Sequence, residues 1–102
     1  MKTLRSYVSG RWCEGTGEPD TLVNPATEEP LARAGAEGLD RAAATSYARR
    51  VGGPALRALT FEQRGALLKA MCDALVAHRD ELLDLAVANG GNTRSDAKFD
   101  LD

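Results

Sequence analysis

Gly38 divides this sequence into two periodicities, and neither half carries the surface that the other needs to pack on. Before it, short β-prone runs alternate with turn residues. After it, apolar residues recur at the three-to-four spacing of amphipathic helices. Leu4 to Val8 and Arg11 to Glu14 flank Ser9-Gly10, which predicts a hairpin whose Tyr7 and Trp12 supply the apolar face. The stretch Gly15 to Asp20 reads as a loop. Thr21-Leu22-Val23 is β-prone again, and Asn24-Pro25-Ala26-Thr27 is a turn, because proline holds the residue before it in extended geometry. Pro30 to Ala34 reads as a returning strand, so residues 1–35 are expected to form paired short strands.

Beyond Gly38, Leu39, Ala43, Tyr47 and Val51 mark one helix face, with Asp40 in the first turn and Arg49-Arg50 in the last. That order of charge suits the helix dipole. Gly52-Gly53-Pro54 is expected to end this helix. Thr60-Phe61-Glu62-Gln63 has capping-box spacing and opens a second helix with Leu68, Met71, Cys72 and Leu75 on one face. Asp80 to Ala88 places Leu82, Leu85 and Ala86 together and stops at Asn89-Gly90-Gly91. Asn92 to Asp102 reads as the start of another helix with no C-cap.

The expected architecture is a strand-rich opening followed by three helices, in the α/β class. A two-stranded hairpin is marginal in water. Alanine is the commonest apolar residue, and the aromatic content is 5%, so a core built by these residues alone would be thin. The expectation is the leading piece of a larger α/β protein. Alone, the chain is expected to be marginal or molten by circular dichroism and gel filtration.

Composition excludes several classes. Charged residues make up 27% of the chain, which argues against disorder, and the net charge of −2 gives no reason to expect nucleic acid or an anionic membrane as partner. The helix pair 61–77 and 79–89 has the outline of a helix-turn-helix but no basic recognition face. Charges interrupt every apolar run and the N-terminus lacks a signal-peptide core, so the chain reads as cytoplasmic.

No residue qualifies as catalytic, cofactor-binding or metal-binding on local grounds. Cys13 and Cys72 lie far apart with no metal-ligand spacing, and both are read as packing residues. Cys13 has no histidine near it in sequence to activate a thiolate. His78 sits where two helices meet, a position the helix dipole favours. Gly15-Thr16-Gly17 lacks the third glycine of a dinucleotide fingerprint, since Asp20 stands there. Asp96, Asp100 and Asp102 are read as a solvated acidic face, and Arg79-Asp80-Glu81 as an exposed helix start.

The ordered set of words resembles the N-terminus of the aldehyde dehydrogenase superfamily across essentially the whole chain. Tyr7-Val8-Ser9-Gly10-Arg11-Trp12 is similar to its opening G-x-W hairpin. Val23-Asn24-Pro25-Ala26-Thr27-Glu28-Glu29 is similar to its N-P-A-T-G-E turn, with Glu28 where glycine is common. Thr60 to Leu85, with Arg64 just after the helix start, resembles its long helical stretch, and Asn89-Gly90-Gly91 falls in its N-G-K region. Glu37 to Ala44 and Gly53 to Phe61 are similar to the branch that oxidises CoA-thioester semialdehydes in aerobic aromatic degradation, some of whose members carry a fused C-terminal hydratase domain.

The resemblance implies that residues 1–102 belong to the cofactor-binding domain, 1–35 as its hairpin region and 38–102 as helices. It implies NADP or NAD as hydride acceptor, with NADP favoured, in a longer homo-oligomeric enzyme whose partners are the remainder of the chain and a small aldehyde. Its chemistry uses a cysteine that attacks the aldehyde, a glutamate that activates water, and an oxyanion site. Those residues have no matching position here, so the chain alone is expected to be inactive and to bind no cofactor. Many relatives also hold a monovalent cation near Asn24-Pro25 with an acidic side chain ahead of the later N-G; that position is Ala88 here. The alternative reading is a non-catalytic helical interaction module or an inactive remnant.

Overall fold

The computed structural model describes residues 1–102. Strands β1 (Ser6–Val8) and β2 (Arg11–Cys13) pair antiparallel as Ser6 with Cys13, Tyr7 with Trp12 and Val8 with Arg11. The turn between them puts both central residues in the left-handed region, Ser9 at φ 52° and Gly10 at φ 78°. This is the two-residue turn whose twist matches that of the strands it joins. Tyr7 and Trp12 meet edge to face across the ladder with centroids 5.2 Å apart, as their opposed positions require.

A second sheet pairs β3 (Asp20–Val23) with β4 (Pro30–Ala34), and its register shifts between Leu22 and Val23. The chain start adds to it. Leu4 N donates to Arg33 O at 2.7 Å and Arg33 N to Lys2 O at 2.9 Å, a parallel contact along β4. The mixed strand-and-helix class expected from the sequence is therefore present. Its strands form two small sheets rather than one.

Helix α1 (Arg41–Tyr47) begins at Asp40, whose Oδ1 accepts from Ala43 N at 2.8 Å. Here the sequence expectation fails. Gly52-Gly53-Pro54 does not stop the helix: a π-helical turn spans Ala48–Gly52 and α2 (Gly53–Arg57) follows directly. Neither glycine takes the left-handed geometry that ends helices; Gly52 sits at φ −65° and Gly53 at φ −56°. Proline in a continuous α register would press its ring on the carbonyl four residues back and leave that carbonyl without a donor. The wider turn just before Pro54, with Gly53 N bonded to Ala48 O, lets the chain remain helical.

The capping box at the start of α3 (Phe61–Ala77) forms in full. Thr60 Oγ1 accepts from Gln63 N at 3.1 Å, and Gln63 Oε1 accepts from Thr60 N at 2.9 Å. Helix α4 (Arg79–Gly90) follows after His78, and α5 (Arg94–Leu101) is capped by Thr93, which accepts from Asp96 N at 3.2 Å. No helix is long and apolar enough to cross a membrane.

What these elements lack is an interior. Only Leu83 and Ala97 are buried, both where α4 and α5 touch. The apolar face expected on α4 was Leu82, Leu85 and Ala86, but α5 covers the helix from the Leu83 side. Leu85 and Ala86 instead look onto an open groove. The expected face of α3 exists and nothing covers it: Leu68 is 67% exposed, Met71 64%, and Cys72 is exposed, so Cys72 is not a packing residue within this chain. The molecule measures 48 × 35 × 16 Å with a radius of gyration of 17.1 Å. A compact chain of this length would have a radius near 13 Å, that is, about 2.2·N^0.38.

Glu28 holds φ 63°, a left-handed geometry costly for any residue with a Cβ. Glu28→Gly is expected to stabilise the β3–β4 turn by about 1 kcal/mol. Slower amide exchange at Asn24 and Glu28, whose N–H groups close this turn, would register the gain; unchanged or faster exchange would refute it.

Candidate functional site

Two turns distant in sequence meet at one edge of the slab. In the first, Asn24 Oδ1 accepts from Ala26 N at 2.8 Å and from Thr27 N at 3.2 Å. Asn24 N donates to Glu29 O at 2.9 Å, and Glu28 N to Asn24 O at 2.7 Å. Asparagine suits this place because its short side chain can mimic a backbone turn. Pro25 cannot donate and needs no partner, and the turn presents its ring outward to the second element.

That element is the end of α4. Gly91 sits at φ 69°, with its N–H bonded to Val87 O at 3.0 Å, so it ends the helix in the left-handed form. A Cβ on Gly91 would stand 2.7 Å from Pro25 Cγ. The glycine is thus required twice, for its backbone and for the space it leaves the proline. Along the same seam, an apolar groove of about 470 Å³ runs between Leu4, Leu22 and Leu31 of the sheet and Leu85, Ala86 and Ala88 of α4. Asn92, just past the cap, keeps a buried Oδ1 with no hydrogen-bond partner.

The side chains considered earlier do not converge on this seam or on one another. Cys13 Sγ lies 3.7 Å from Ser6 O, the carbonyl of its cross-strand partner, and is half-buried. His78 caps α3, and its Nδ1 is 3.3 Å from Glu81 Oε2. Asp96 takes a hydrogen bond from Thr93 Oγ1 at 2.9 Å, whereas Asp102 pairs with Arg79, so the acidic residues at the chain's end serve separate contacts. No three His, Cys, Asp or Glu side chains form a group that could hold a metal ion. At Gly15-Thr16-Gly17 the backbone is already engaged, Thr16 N donating to Glu37 O at 2.9 Å, and the Glu37 carboxylate fills the space a side chain at Gly17 would need. A carboxylate there repels an anion instead of cradling it. Ala88 lies in the groove wall and offers no side-chain oxygen to a cation beside the Asn24-Pro25 turn.

Sequence reasoning missed how α5 is held. Asp102 accepts two hydrogen bonds from Arg79, from Nε at 2.9 Å and from a terminal guanidinium nitrogen at 2.8 Å. Arg94 bridges to Asp80 at 3.2 Å and also to Asp84. The spacing of Arg79, Arg94 and the aspartates could not reveal these pairs, because they depend on how two helices lie together. The hydrogen bond from Arg79 holds the Asp102 carboxyl below the usual carboxylate range, and the same bond raises Arg79. Exposed pairs of this kind contribute little to global stability.

Similarity to known proteins bears on this arrangement. A family model for the aldehyde dehydrogenase family matches residues 12–102. The chain is 46% identical over 99 residues to the 3,4-dehydroadipyl-CoA semialdehyde dehydrogenase of Aromatoleum evansii, covering 97% of this chain and 19% of that protein. It is 28% identical to the NADP(+) succinate-semialdehyde dehydrogenase of Escherichia coli, over 95% of this chain and 20% of the relative. It is 30% identical to malonate-semialdehyde dehydrogenase 3 of Geobacillus kaustophilus, over 94% and 20% respectively. The chain thus spans 19–20% of the length of these curated relatives.

Gly91→Ala is expected to open the seam, at a cost of about 1–3 kcal/mol from the left-handed backbone and the overlap with Pro25. Exchange of the Gly91 amide, which donates to Val87 O, would quicken; unchanged protection would show that Pro25 is not held there. The Asp102 pair gives a pH dependence. Its folded value is depressed, so its contribution is whole above the ordinary carboxylate range and fades as pH falls through the folded value. Acid below the ordinary carboxylate range should therefore lower the protection of the α5 amides of the wild type, measured against unstructured-peptide rates at the same pH, and Asp102→Asn should show that lowered protection already at neutral pH. Equal exchange in both at neutral pH would remove the pair from any role in docking α5.

Proposed function

The chain belongs to the aldehyde dehydrogenase family, and on that premise we propose that it is the N-terminal layer of an NAD(P)-dependent enzyme. The enzyme oxidises a CoA-thioester semialdehyde to the carboxylic acid during aromatic-compound degradation. The observation that carries the substrate class is the 46% identity to a 3,4-dehydroadipyl-CoA semialdehyde dehydrogenase, against 30% or less for relatives acting on other aldehydes. Residues 1–102 belong to the cofactor-binding domain as its outer shell, 1–35 as the hairpin region and 38–102 as the helical region.

The reading assigns this chain no catalytic, cofactor-binding or metal-binding residue. When bound, the nicotinamide, NADP by preference, accepts the hydride, and the nucleophile and the water-activating carboxylate come from the other four-fifths of the enzyme. Several features support this division. The loop at Gly15-Thr16-Gly17 is occupied by the Glu37 carboxylate, and Cys13 is turned to a carbonyl of its own hairpin. The seam of Asn24-Pro25 with Gly91 contributes rigidity, fixing the sheet against α4 so that the layer keeps one shape when the rest of the enzyme packs on it. The remaining partners in this reading are the aldehyde itself and further copies of the whole enzyme, in the cytoplasm.

The test is a chimera. Residues 1–102 replace the aligned segment of the Aromatoleum evansii enzyme, and oxidation of its CoA-thioester semialdehyde is followed by nucleotide reduction. The chimera is expected to keep kcat/KM within about tenfold of the parent, a change of roughly 1.4 kcal/mol. The 102-residue chain by itself is expected to give no aldehyde-dependent reduction of NADP or NAD. Turnover by the isolated chain, or a folded chimera without activity, would overturn the proposal.

A further inference from the structure

Helix α3 carries six of the sixteen large apolar side chains that stand exposed on this chain. A self-contained protein of 10.9 kDa would expose about 5,600 Å². This chain exposes 8095 Å², roughly 2,500 Å² more than that scaling gives. A stable interface needs about 800 Å² from each side, so the excess is some three times that requirement. No residue of α3 is buried. At about 100° per residue, Glu62, Lys69 and Asp73 fall within roughly 40° of one another and form one narrow polar stripe. Lys69 and Asp73 pair along it at 2.7 Å. Gln63 is used in the cap, and Arg64 lies over the Phe61 ring at 4.5 Å with its Nε buried and unpartnered. Nearly all the remaining circumference is apolar, with Phe61, Leu67, Leu68, Met71, Leu75 and Val76 each half or more exposed or close to it. A helix apolar on most sides belongs inside a protein.

We propose that α3 is the principal docking surface of this chain, and that its occupant is the part of an aldehyde dehydrogenase subunit lying outside these 102 residues. The Leu68–Met71–Cys72–Leu75 face is inserted into that body, and the Lys69–Asp73 stripe stays in solvent. The inference rests on the reading of the chain as an outer layer and names the surface by which it attaches. The length of the relatives argues for this occupant over a small peptide, since four-fifths of each has no counterpart here and is large enough to enclose a helix. The absence of a strong charge on the face argues the same way, because burying apolar surface needs no matching charge.

The experiment co-expresses this chain with the Aromatoleum evansii enzyme lacking its aligned 99 residues, so that both parts fold together. A complex is expected, with iodoacetamide labelling of Cys72 slowed at least about tenfold relative to the free chain. Leu68→Asp and Met71→Asp are expected to weaken the complex by about tenfold or more each, since a carboxylate would be buried without a partner. Neither should unfold the free chain, where both side chains already face solvent, and circular dichroism checks that. Lys69→Gln on the stripe should leave the complex unchanged. A complex in which Cys72 labels freely and both aspartates are harmless would overturn the α3 surface while the outer-layer reading stands. Failure to form any complex, with the free chain pairing only with itself, would overturn both.

Discussion

Nearly every apolar side chain in this fold is left at least partly uncovered, and that condition governs the rest of the structure. A 16 Å slab has no middle layer, so apolar side chains can be covered by a neighbour within the plane but not from above and below. Where two elements do overlap, at α4 and α5, two residues become buried; where they do not, as on α3, a whole helix stands open. Local hydrogen bonding therefore carries an unusual share of the order. The Asp40 and Thr60 caps, the Asn24 turn, the Thr93 cap and the Arg79–Asp102 pair each fix a junction where packing contributes little. Such bonds are individually worth about 1 kcal/mol and define geometry better than they hold a fold together.

This explains which features were legible in the sequence. The hairpin around Ser9-Gly10, the turn at Asn24-Pro25, the capping box at Thr60 and the stop at Gly91 are all short-range, and residue type nearly determines them. Gly52-Gly53-Pro54 misled because the same residues serve two outcomes. Glycine ends a helix only if it turns left-handed, and Pro54 here follows a widened turn that accommodates it. Leu83 was missed on α4 for a different reason. Periodicity marks an apolar stripe, but which edge of the stripe is buried depends on where α5 lies, and α5 is positioned by Arg79, Arg94 and three aspartates spread over the chain. Cys72 falls on a helix face whose pattern predicts a core, although no core covers it in these residues.

The candidate site follows the same division. Its two halves, Asn24-Pro25 and Asn89-Gly90-Gly91, are each recognisable as words and the family resemblance brings them near one another, whereas the seating of Pro25 against Gly91 is not legible in the residues. The contact turns a resemblance into a mechanical argument. A proline ring seated where Gly91 has no side chain locks the β3–β4 turn to the end of α4. The left-handed Glu28 indicates that this turn is held in shape even where the residue is poorly suited to it.

The seam and the open helix belong to one design. A layer that must lie against a larger body needs a fixed curvature before it docks, since otherwise ordering it would consume part of the free energy of docking. The Pro25–Gly91 contact fixes the sheet relative to α4, α5 is clamped to α4 by paired charges, and α3 joins this rigid unit through His78. The least protected helix is thus attached to the part of the chain that holds both buried residues. The polar stripe of Glu62, Lys69 and Asp73 marks the one side of α3 that tolerates water, and so sets the orientation in which the apolar remainder is covered. In the enzyme we propose, the groups that act on the aldehyde come from outside this layer. What the layer supplies on that reading is a preset surface on which the rest of the subunit closes.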